Sequence, residues 1–213
     1  MSILSKCSDV FWKIVGNTKV FRYPVWFVYD PDQPKVDGSH MLKLMEVAKP
    51  GDILMRGWRH YLNGYFIPGD YSHGGIYLGN NEVLHAVPQG VCRCNVIDFI
   101  NADRICLLRP KKHVSIAVET ALMLESRHLP YDYKMTKGDE ALYCFELCAE
   151  CYRRLANIEK VQPKLLGGLI KRSEPAWLSF SFLNSPDFYT VMEFNPDKGV
   201  DFLNLTTETP KTE

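Results

Sequence analysis

The run Ser72-His73-Gly74-Gly75-Ile76-Tyr77-Leu78-Gly79-Asn80-Asn81-Glu82-Val83-Leu84-His85-Ala86-Val87 constrains this chain more than any other stretch. Two β-prone segments flank Gly-Asn-Asn, residue types that tolerate positive φ, so the run reads as an antiparallel hairpin. A three-residue loop, Gly79 to Asn81, sets Leu78 opposite Glu82 and Gly75 opposite His85. Cross-strand partners share a face, as do alternate residues along a strand. One face then holds Gly74, Ile76, Leu78, Leu84 and Ala86, all small or apolar. The other holds His73, Gly75, Tyr77, Val83, His85 and Val87. Both histidines fall on this second face, with Gly75 leaving open space opposite His85. A two-residue loop would split the histidines between faces, and the apolar first face favours the odd loop.

Around this hairpin the chain mixes helices and strands. Met41 to Ala48 has helical spacing, Pro50-Gly51-Asp52 is a turn, and Ile53 to Met55 a short strand. Val91 to Phe99 and Ile105 to Leu108 read as further strands, Ser115 to Arg127 and Glu140 to Ala156 as helices, and Trp177 to Phe194 as β-prone. These elements do not alternate as βαβ units, so the expected class is α+β. Residues 1–48 form an aromatic arm and a short helix, residues 49–200 the main domain, and residues 201–213 a Thr-rich tail expected to be disordered.

Composition excludes several function classes. Lys+Arg and Asp+Glu both number 25, and that balance argues against a nucleic-acid-coating protein. No run approaches the roughly 20 apolar residues of a membrane span, and the first residues lack a secretory signal. A cytoplasmic chain is expected, with its seven cysteines as free thiols.

One of those thiols stands apart. The segment Gly138-Asp139-Glu140-Ala141-Leu142-Tyr143-Cys144 opens with acidic residues suited to a helix N-terminus. Cys144 then lies near the helix start, where unpaired N–H groups favour a thiolate. Cys148 and Cys151 continue one face of that helix as core packing, since unreactive cysteine behaves as a small hydrophobe. One straight helix cannot surround a metal, and Cys92 and Cys94 have no second pair. No metal and no cofactor are therefore expected.

A thiol at a helix start, a strand histidine and a second polar group form a nucleophilic site. Helix and His73 should lower the Cys144 pKa from about 8.5 to roughly 3.5–7.5. His73 holds the proton and returns it to the leaving group, His85 fixes the His73 tautomer, and backbone N–H groups hold the oxyanion.

Five segments, KPGDILMRG (Lys49 to Gly57), DYSHGGIYLGNNEVLHA (Asp70 to Ala86), LLRP (Leu107 to Pro110), LPYDY (Leu129 to Tyr133) and YCFELCAECY (Tyr143 to Tyr152), occur in this order. Together they resemble the circularly permuted papain-like hydrolases of the NlpC-like superfamily. The similarity points to the bacterial YiiX/YebB-like branch, with lecithin retinol acyltransferase more distant. The resemblance implies a permuted papain-like fold, an antiparallel sheet or barrel packed against a helix bearing the nucleophile. The family's S-H-x-G-[IL]-Y motif falls on Ser72 to Tyr77, making His73 the base. Its Y-C-[ST]-E-L motif falls on Tyr143 to Leu147, making Cys144 the nucleophile. The third polar position falls on His85. Phe145 departs from the family's Ser or Thr.

The expected function is a thiol hydrolase that cleaves an amide or ester, with a small peptide-like or acyl-lipid substrate. Alternatives are a phospholipid-directed acyltransferase with the same residues, or an inactive binding module of the same fold.

Overall fold

The hairpin closes through residues that accept a left-handed backbone: φ is 92° at Gly79, 51° at Asn80 and 61° at Asn81. The computed structural model describes residues 18–22, 25–29, 35–58, 67–112, 114–133, 135, 140–165, 170–171 and 174–202. The chain divides into two units, Met1–Lys35 and Val36–Glu213. In the first, β1 (Thr18–Arg22) pairs antiparallel with β2 (Val25–Tyr29). Residues 11–17 of the aromatic arm lie outside the described residues.

The second unit begins with α1 (Gly38–Val47) and continues through β3 (Ile53–Gly57), β4 (His73–Gly79), β5 (Glu82–Val87) and β6 (Gly90–Asn95). Next come α2 (Val96–Ile100), β7 (Arg104–Pro110), α3 (Val114–Ser126) and α4 (Cys144–Tyr152). A minor pair, β8 (Lys164–Leu165) and β9 (Ile170–Lys171), precedes α5 (Ser179–Leu183), β10 (Phe188–Asn195) and β11 (Val200–Asp201). Seven strands form one antiparallel sheet in the order β11-β10-β7-β3-β4-β5-β6. The class is α+β, as the sequence indicates.

Alternation along the strands divides the core. Ile53, Met55, Ile76, Leu84 and Ala86 pack with Ala117 and Ala121 of α3 and with Leu147, Cys148 and Cys151 of α4. Leu54, Tyr77, Val83, Ile105 and Leu107 belong to a second cluster with Leu44 of α1 and Phe99 and Ile100 of α2. An ion pair between the half-buried Arg109 of β7 and the buried Asp52, just before β3, joins these strands: Arg109 Nε and Nη2 donate to Asp52 at 2.9 and 2.7 Å, and the Lys49 amide donates to the same carboxylate at 2.8 Å. Those bonds satisfy a charge whose isolation would cost about 3–5 kcal/mol.

Five local expectations change. Gly75 does oppose His85, but Gly79 rather than Leu78 opposes Glu82, with the register shift between Tyr77 and Gly79. A two-residue turn plus one bulged residue restores the parity of a three-residue loop. The strand expected over Val91 to Phe99 stops at Asn95, whose side chain accepts from the Ile97 amide and caps α2. The helix expected from Glu140 starts at Cys144. The β-prone stretch from Trp177 opens with the α5 helix before β10 begins. Asp201 and Phe202, assigned by sequence to the tail, include a strand residue and a buried ring. Residues 203–213 lie outside the described residues.

Candidate active site

Helix α4 sets the thiol in place. Tyr143 is its N-cap without a side-chain cap bond, so Cys144 is the first helical residue. The Cys144 side chain is buried, and backbone N–H groups of Gly74, Phe145 and Cys144 itself stabilise its thiolate. The sulfur thus lies against the amide that follows His73 in β4. Gly74 has no room for a side chain: a Cβ there would come within 2.8 Å of Phe145 Cε1 and 3.6 Å of Cys148 Sγ. The buried Phe145 ring fills the space over this glycine.

The histidines meet on the opposite face of the hairpin. His73 Nε2 and His85 Nδ1 are 3.0 Å apart, with ring centroids 5.2 Å apart. Phe99 stands 5.5 Å from the His73 ring and 5.7 Å from the His85 ring. Cys94 Sγ is 3.9 Å from His85 Nδ1. The His73–His85 bond occupies His73 Nε2 and not Nδ1. No hydrogen bond between Cys144 and His73 is closed among the described residues.

Burial governs the protonation states. It pushes the Cys144 thiol up to about 11, although the three backbone N–H groups and Arg56 pull it down. The expected lowering to roughly 3.5–7.5 is therefore corrected: desolvation outweighs the helix start. Burial, then Arg56 and then His85, holds His73 well below the usual imidazole range. Burial and Arg56 push His85 down to about 4. At neutral pH the thiol and both imidazoles are therefore uncharged.

Arg56 and Tyr131 lie in two of the quoted segments, KPGDILMRG and LPYDY, but no local spacing assigns them to the site. Arg56 on β3 pairs across the sheet with His73. The half-buried Tyr131 phenol has its pKa raised by burial and then by Cys144. Only the β3–β4 register and the fold of the LPYDY segment bring these residues to the thiol. Cys148 and Cys151 are buried in the core, with thiol pKa values pushed up chiefly by burial. All six described cysteines are free thiols. Among the described residues, no three His, Cys, Asp or Glu side chains gather as metal ligands, and no helix is long and apolar enough to cross a membrane.

A seven-stranded antiparallel sheet, a cysteine-bearing helix on one face and a histidine strand earlier in the chain define a permuted papain-like protein. The chain belongs to the family described as permuted papain-like amidase enzyme, YaeF/YiiX, C92 family, whose profile matches residues 47–201. The crystal structure of the metalloprotein YiiX from Escherichia coli O157:H7 aligns with a TM-score of 0.56 and 19% identity, covering 68% of this chain and 97% of that one. Protein OPG091 of vaccinia virus (strain Copenhagen) is 28% identical over 128 residues, 56% of this chain and 73% of its own. Protein OPG091 of variola virus (isolate Human/India/Ind3/1967) is 27% identical over the same length.

Proposed function

We propose that this protein is a cysteine amidase in which Cys144 is the nucleophile, His73 the base and His85 the group that orients it. The observation that carries this reading is the position of the Cys144 sulfur: at the first residue of α4, against the amide next to His73, whose far nitrogen is occupied by His85.

A neutral His73 accepts a proton at Nδ1 only in the tautomer protonated at Nε2. Donation from Nε2–H to His85 Nδ1 selects that tautomer. The His73 ring approaches the thiol as substrate binds, since catalytic hydrogen bonds commonly tighten only in the substrate complex. His73 takes the thiol proton while the sulfur attacks the amide carbonyl carbon. The tetrahedral oxyanion is held by backbone N–H groups at the start of α4. His73 then protonates the leaving amine, and the C–N bond breaks to give a Cys144 thioester. Water, deprotonated by His73, attacks that thioester, and the acid and free thiol are released.

Membership of an amidase family supports the amide over the acyl-lipid ester. A peptide-like substrate follows as the favoured class. The test is turnover of a panel of peptide and acyl-amino-acid anilides. Cys144→Ala and His73→Ala should abolish release of the amine, and Cys148→Ser should leave it largely intact. Turnover that survives Cys144→Ala, or dies with Cys148→Ser in a folded protein, would overturn the assignment.

A further inference from the structure

Among the described residues, no carboxylate pairs with Arg56. Arg93, Arg104, Arg109 and Arg153 each pair with an acidic side chain. Arg56 instead donates Nη1 to two backbone carbonyls, Asp98 O at 3.2 Å and Phe99 O at 2.9 Å. Its Nε is buried without a partner, and no hydrogen bond engages Nη2 among the described residues. The guanidinium carbon lies 4.9 Å from the centre of the Phe99 ring and 5.9 Å from that of Trp58.

This side chain borders the reaction centre. Arg56 and His73 are cross-strand partners on one face, and Phe99 packs against Arg56 and both histidines. A half-buried, unpaired guanidinium is unfavourable unless something offsets it. Among the described residues, two backbone carbonyls are its partners, which leaves most of its five donors unused there. They also hold the planar group rigid, as a receptor for a planar anion requires.

We propose that Arg56 is a specificity-determining residue that receives a substrate carboxylate beside the scissile amide. This rests on Cys144 being the nucleophile. The substrates it favours are N-acyl amino acids or peptides with a free acid near the cleaved bond. Neutral amides of the same shape bind without that contact. The positive charge also favours the thiolate and oppose a protonated His73, so its electrostatic effect on the site continues when no carboxylate is bound.

Two alkylating agents of nearly equal size test the proposal: iodoacetate carries a carboxylate and iodoacetamide does not. The rate of each at Cys144 is followed by peptide mapping, with N-acetylcysteine as reference. The expected iodoacetate-to-iodoacetamide ratio at Cys144 exceeds the reference ratio by roughly tenfold, the worth of one charge-assisted contact. Arg56→Gln should return it to the reference value, and Arg56→Lys should retain part of the excess. A purely structural arginine would change thermal stability and leave the ratio unmoved. A wild-type ratio equal to the reference overturns the carboxylate receptor without any variant. An excess that persists in folded Arg56→Gln overturns it as well. Failure of the nucleophile assignment reads out separately, as anilide turnover that survives Cys144→Ala.

Discussion

His73 Nε2 and His85 Nδ1 are 3.0 Å apart across the β4–β5 pair, one strand step beyond the Gly75–His85 partners. The open space expected at Gly75 is not there: a Cβ would lie 2.7 Å from Val83 Cγ1, 2.8 Å from the Leu84 carbonyl oxygen and 3.1 Å from Phe99 Cε2, so only glycine fits beside the bonded histidines. His85→Ala should therefore leave the base present but misoriented. The expected loss in kcat is about one to two orders of magnitude, no more than the lower end of the roughly 10²–10⁴-fold a general base supplies, because His85 orients the base and does not replace it. His85→Gln, which can still accept from Nε2, should recover part of it. A His85→Ala enzyme as fast as wild type would remove His85 from the mechanism.

The pH profile follows from the buried histidine. Burial and Arg56 hold the His73 pKa well below 6.5. The neutral, basic form therefore persists into mildly acidic solution. The acid limb of kcat/KM should fall below pH 6.5, and Arg56→Gln should move it upward. An acid limb above neutrality in the wild type would contradict this electrostatic picture. The Cys144 thiol, pushed up to about 11 by burial, should alkylate faster as pH rises, about tenfold per unit through the neutral range.

Gly74 and Phe145 form a size-matched pair. Gly74→Ala places a methyl 2.8 Å from Phe145 Cε1 and should cost about 1–3 kcal/mol by overpacking. Phe145→Ser leaves a cavity and should cost about 3–5 kcal/mol. Combining them should cost less than the sum, because the smaller residue clears the space that the methyl needs. Additive denaturation free energies would show that the two side chains do not compete for one volume. The same cycle explains how a ring fits at the position where the resemblance leads one to expect Ser or Thr.

Glu146 gives a stability test independent of catalysis. Burial, followed by the nearby Asp132, pushes its carboxyl up to about 7, against opposing pulls from Lys160 and the Tyr143 amide and a further push from Glu150. Its pKa is higher in the folded state than the ordinary 4.5. Its contribution to stability is thus fully present below about pH 4.5 and is lost as pH rises through 7. Glu146→Gln should flatten this part of the curve, gaining thermal stability relative to wild type near pH 8 and not near pH 4. Parallel curves for the two proteins would contradict the shift.

The hairpin was legible because its two faces differ so sharply in polarity. Even an incorrect loop length preserved the pairing of Gly75 with His85, since the bulge beside Gly79 and the Asn80–Asn81 turn together have odd parity. The helix start was less legible. Asp139 and Glu140 look like first-turn acids, yet Glu146 is the acid in the first turn of α4. Arg56 stands in the quoted KPGDILMRG segment, yet its place beside His73 was not legible, because it depends on the β3–β4 register rather than on any local spacing. The raised thiol pKa depends on burial by the assembled sheet and helix, which no helix-start rule contains.

The most direct test of the account is to locate the covalent intermediate. Wild-type protein is mixed with an anilide it cleaves, quenched in acid within one turnover and mapped by mass spectrometry. A thioester on Cys144, absent from folded His73→Ala, is the expected result. An acyl group on any other cysteine, or full-rate acylation of Cys144 without His73, would contradict it.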